Sequence, residues 1–108
     1  MKSELHIESD NFDRSVINKE LQLVPDEVAP VWLRKLPDSK ESKSVTQQIQ
    51  YWCNIFKHKK DAKNRLLACG YKISIVFYPT TKCFISIPQE SLSLLVGYRL
   101  GLVIEIKT

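Results

Sequence analysis

The sequence predicts a single α+β domain spanning residues 1–108, a mostly antiparallel sheet of three to five strands with helices packed on one face. Three observations carry that expectation. Polar and apolar residues alternate in Glu4-Leu5-His6-Ile7-Glu8 and again across residues 71–78, the two-residue period of half-buried strands. Between them Val45, Ile49, Trp52, Cys53 and Phe56 fall at i, i+4, i+7, i+8 and i+11, the stripe of an amphipathic helix. A chain of 108 residues, 44% of them apolar, can bury one core but is short for two.

Taken in order, residues 4–8 form the first strand, with Leu5 and Ile7 inward. Ser9, Asp10 and Asn11 are all good N-caps, and Phe12, Val16, Ile17 and Leu21 follow at near-helical spacing, so a short helix is expected over 12–21, closed by Pro25. Residues 28–36 contain Pro30 and end at Pro37, which leaves two readings open, an edge strand or an ordered loop, because proline cannot donate to a ladder. Residues 37–44 hold no apolar side chain and read as a flexible surface loop. Ser44-Val45-Thr46-Gln47 fits a capping box, which starts the central helix. Asp61 can recap the chain for a further helix through Leu66, Leu67 and Cys69, with Gly70 just past its C-cap.

The strand at 71–78 is expected to turn at 79–82 and return as 83–87, an antiparallel hairpin. Pro88 opens a helix through Leu92, Leu95 and Val96, with Gly101 as its stop. The apolar run 102–106 reads as the last strand, central and covered on at least one face.

No apolar run reaches the roughly 18 residues of a membrane-spanning helix. The start, Met1-Lys2-Ser3-Glu4-Leu5-His6, lacks the pattern of a secretory signal, so the cytoplasm is the expected location. Cys53, Cys69 and Cys83 have no spacing that suits zinc or a redox pair and read as buried free thiols. The formal charge of +4 hides an asymmetry. Residues 1–41 carry nine acids and six bases, a net of −3, whereas residues 42–108 carry three acids and ten bases, a net of +7.

The N-terminal strand, the helix opening at Asn11-Phe12-Asp13, Leu21 and Leu23 before Pro25, Trp52, Gly70-Tyr71-Lys72-Ile73-Ser74-Ile75, Ile87-Pro88-Gln89-Glu90-Ser91-Leu92 and Leu100-Gly101-Leu102 together make a pattern over nearly the whole chain. It resembles a family of small bacterial domains of unknown function. Such domains are similar in size and layout to single-domain immunity proteins, which bind and block a cognate toxin, and the resemblance implies that role with no residue-level assignment.

Chemistry-bearing groups are sparse. His6 and His58 lie 52 positions apart with no spacing rule to bring them together, so no catalytic residue is assigned and no enzyme is expected. Glu4 and Glu8 share a strand face with His6 but sit about 13 Å apart at a strand's rise, too far to hold one ion, and neither metal nor other cofactor is expected.

Two charged surfaces remain. Glu8, Asp10, Asp13, Asp26 and Glu27, joined by Trp32 and Arg34 as residue types common at hot spots, make a partner-binding surface on the acidic half. Helix capping already accounts for Asp10 and Asp13, which leaves Glu8, Asp26 and Glu27 as the discriminating residues. The expected function is accordingly a non-enzymatic immunity protein that blocks a protein toxin, such as a nuclease effector, through this acidic surface. The alternative is a small nucleic-acid-binding module using Lys57, Lys59, Lys60, Lys63 and Arg65, five cations in nine residues. No aromatic side chain interrupts that run for base stacking, and a solvated helix end explains it equally.

Overall fold

A computed structural model of the chain describes residues 1–28, 31–79 and 85–105. It bears out an α+β domain. Four strands, β1 (Lys2–Glu8), β2 (Trp32–Lys35), β3 (Lys72–Tyr78) and β4 (Gly101–Ile104), form one sheet in the order β2-β1-β3-β4. The β1–β2 and β1–β3 ladders are antiparallel, and β3–β4 is parallel. Four α-helices complete the domain: α1 (Arg14–Leu21), α2 (Val45–Ile55), α3 (Lys60–Ala68) and α4 (Gln89–Tyr98). No helix among the described residues is long and apolar enough to cross a membrane.

Strand alternation sorts the sheet into two faces. Leu5 and Ile7 of β1, Trp32 of β2, and Ile73, Ile75 and Phe77 of β3 point one way into a single cluster. All four helices contribute to that cluster, through Ile17 and Leu21, Ile49, Trp52 and Cys53, Ala62 and Leu66, and Leu95. The helices therefore share one face of the sheet. A Cα radius of gyration of 13.6 Å matches the value of about 13 Å for one body of roughly a hundred residues.

The local signals worked where they were chemical. The Ser44 hydroxyl accepts from the Gln47 amide at 3.2 Å while the Gln47 side chain accepts from the Ser44 amide at 3.0 Å, the expected capping box. Gly70, at φ +89°, ends α3, with Gly70 N–H donating to the Leu67 carbonyl and Tyr71 N–H to the Leu66 carbonyl. That pair of bonds is a Schellman motif, which needs a left-handed residue at this position. Asp13, rather than the residues before it, caps α1, its Oδ1 accepting from Ser15 N–H at 2.9 Å, so the helix begins at Arg14 and not at 12.

Three expectations are corrected. The hairpin does not form at the described part of its second arm: residues 85–87 are not a strand, while residues 80–84 lie outside the described residues. The reason is that the middle of β3 is paired on both sides. Its seven residues pair with β1 on one side and Ser74 to Phe77 pair with β4 on the other. The last strand is accordingly not central but the sheet's outer edge, with Val103 and Ile104 exposed; Ile106 lies outside the described residues. Gly101 is not the helix stop either. Arg99 takes the left-handed C-cap position at φ 57°, and Gly101 starts β4, where an added Cβ would stand 3.3 Å from Ser74 Cβ.

The open choice at 28–36 resolves to an edge strand, with Ala29 and Pro30 outside the described residues. Residues 37–44 contain a 3-10 turn at Asp38–Lys40, and the Met1 ammonium donates to the Glu41 carbonyl at 2.7 Å. Of the thiols, Cys53 is buried and its environment pushes it up to about 11 by desolvation, which Lys63 only partly offsets. Cys69 departs from the expectation and is exposed, because it is the C-cap of α3 and not part of its buried stripe; Cys83 is outside the described residues.

One polar cluster lies inside the core. Trp52 Nε1–H donates to Ser3 Oγ at 2.9 Å, Ser3 Oγ donates to Gln48 Oε1 at 2.7 Å, and Gln48 Nε2 donates to the carbonyls of Met1 and Lys43. This chain ties α2 to the start of β1. Replacing Ser3 with Ala strands a buried indole N–H and a buried amide oxygen, and is expected to cost about 1–3 kcal/mol, read as a lower urea midpoint at unchanged m-value. Site-resolved alkylation under native conditions is expected to modify Cys69 well ahead of Cys53, since a buried, protonated thiol is a poor nucleophile.

Candidate partner-binding face

With the helices on one side, the other face of the sheet carries Lys2, Glu4, His6 and Glu8 from β1, Leu33 and Lys35 from β2, Lys72, Ser74, Val76 and Tyr78 from β3, and Val103 from β4, of which Leu33 and Val76 are buried. At its middle is a cluster that neither strand reveals alone. Glu4 Oε1 accepts from the Tyr78 hydroxyl at 2.7 Å and lies 2.8 Å from His6 Nε2. The Tyr78 oxygen stands 3.4 Å from the same ring nitrogen. With the phenol proton directed at the carboxylate, the imidazole satisfies its contact as an Nε2–H donor.

Desolvation first, then the hydrogen bond and charge of Glu4, then Glu105, push the Tyr78 phenol well above its ordinary value. It therefore stays a donor throughout the physiological range. A carboxylate that orients an imidazole is half of an acid-base device, but the neighbouring cleft of about 360 Å³ takes in Glu4, Tyr78, Lys2 and Lys35 and not His6. Glu4, His6 and Tyr78 thus fix one another's polar atoms beside that cleft. Among the described residues, no three His, Cys, Asp or Glu side chains gather where they could hold a metal ion.

The acidic set lies along β1, β2 and the segments that flank them. Glu8 is exposed at the end of β1, and it shares a concavity of about 290 Å³ with Asp10 and Lys72. Glu27 is exposed, 3.7 Å from Lys35 Nζ, a pair too solvated to hold it firmly. Asp13 and Asp26 are both exposed but locally engaged, Asp13 as the α1 cap and Asp26 accepting from Lys35 N–H at 2.7 Å. Arg34 is half-buried on β2, paired with Leu5.

Trp32 is not a surface residue. It pairs with Ile7 on the helix side, is fully buried, and its Nε1–H donates to Asn18 Oδ1 at 2.8 Å, so it holds α1 to the sheet and cannot meet a partner. Its place on the inward phase of β2 could not be read before the register with β1 was known.

The basic segment folds into the turn between α2 and α3 and the first turns of α3. Lys57, Lys59, Lys60 and Arg65 border a concavity of about 430 Å³ with Glu20, Asp61 and His58, and Arg65 Nε–H donates to Glu20 Oε2 at 2.6 Å. Lys63 is not available to phosphate. It is buried, its ammonium donates to the Tyr98 carbonyl at the end of α4, and it lies 5.4 Å from the Tyr98 ring centroid. Desolvation, then Arg99 and Lys60, hold its pKa below the ordinary lysine value.

Compared with family models, curated proteins and solved structures, the chain matches none of them.

The Glu4–His6–Tyr78 cluster makes a titration prediction. The folded state keeps the Tyr78 proton above the value near 10 at which the unfolded chain releases it, so its contribution to stability is complete below that pH and is lost as pH rises further. Phenolate absorbance of the folded protein is expected to show a late fraction, that of Tyr78, rising as the protein unfolds in alkali. Tyr78→Phe is expected to remove that late fraction.

Proposed function

We propose that this is a non-enzymatic binding protein whose acidic side, formed by β1, β2 and their flanking segments, captures a basic protein. Its most concrete form is an immunity protein that binds and blocks a cognate bacterial toxin. The observation that carries the reading is the placement of the exposed carboxylates Glu8, Asp10 and Glu27 around strands whose second face no helix covers. A nuclease effector must present cations to its substrate's phosphates. A protein that offers fixed carboxylates competes for the same surface, and opposite potentials speed the encounter.

The remainder of that face suits the role. Glu4, His6 and Tyr78 are held in place by one another, so their polar atoms lose little freedom on docking. Asp13 and Asp26 flank the exposed carboxylates in sequence and would act at the rim, whereas Arg34 shares the strand phase of Leu5 and lies on the helix side. The reading requires no cofactor and places the protein in the cytoplasm, where a toxin would be neutralised. The basic concavity at the start of α3 favours the second reading, a nucleic-acid-binding module, now through Lys57, Lys59, Lys60 and Arg65 without Lys63.

Coexpression with the product of the adjacent reading frame is expected to give a stable complex and to rescue growth from that product. The triple variant Glu8→Lys, Asp10→Lys and Glu27→Lys is expected to slow association at least tenfold, about 1.4 kcal/mol, with most of the loss in the on-rate and its salt dependence. Absence of both complex and rescue overturns the reading. Salt-sensitive binding of duplex or single-stranded nucleic acid that Lys59→Glu with Lys60→Glu abolishes supports the second one instead.

A further inference from the structure

We draw no further inference here: the strongest candidate, the cleft of about 360 Å³ beside Glu4 and Tyr78, holds side chains of both charges, and among the described residues that line it no buried polar side chain lacks a partner, so nothing there selects a ligand.

Discussion

The antiparallel ladder between β1 and β3 is the constraint on which the rest of the structure depends. Seven residues from the start of the chain pair with seven from beyond its midpoint, Lys2 with Tyr78 through Glu8 with Lys72. Because β4 takes the other side of β3, no local hairpin can form there, and α4 must carry the chain across from β3 to β4. Because β2 takes the other side of β1, both central strands are saturated and two short strands are left as edges. The ladder closes a large loop, an entropic cost that grows only slowly with loop length, and the apolar cluster beneath it offsets that cost.

The same ladder decides what the charges do. The acidic and basic stretches of the sequence meet between β1 and β3, so the net −3 and +7 of the two parts become neighbouring regions of one small domain. Some of that charge is spent at the boundary. Glu20 holds Arg65, Asp13 caps a helix while its amide donates to Tyr71 Oη, and Lys63 is drawn inside to the end of α4. Of the two candidate surfaces, what stays free of such local ties is smaller than the composition suggests: Glu8, Asp10 and Glu27 in the acidic set, Lys57, Lys59 and Lys60 in the basic one.

Features that depend on neighbours in sequence were legible in the sequence. The Ser44–Gln47 capping box, the glycine past the end of α3 and the inward phase of Leu5, Ile7, Ile73 and Ile75 each follow from chemistry within a few positions. The candidate face was legible only in pieces. Glu4 and His6 stand out on the polar side of β1, and Tyr78 sits on the polar phase of β3, yet 74 positions separate the carboxylate from the phenol that donates to it. No periodicity encodes that distance. Trp32 and Lys63 failed for the same reason, since residue type suggested surface roles that burial against Asn18 and Tyr98 overruled.

What the sequence determined by itself was the kind of domain, the existence and limits of most elements, and which face of each meets the core, because period, caps and breakers act over one or two turns of chain. Tertiary structure alone decided the order of the strands, the occupant of each strand edge and the convergence of Glu4, His6 and Tyr78. Those outcomes depend on pairings between segments far apart in sequence, which no local period or cap encodes. The apolar run after Gly101 shows the difference. Its composition suited a central strand, but it pairs with β3 on one side and no described strand pairs with it on the other, so it forms the edge.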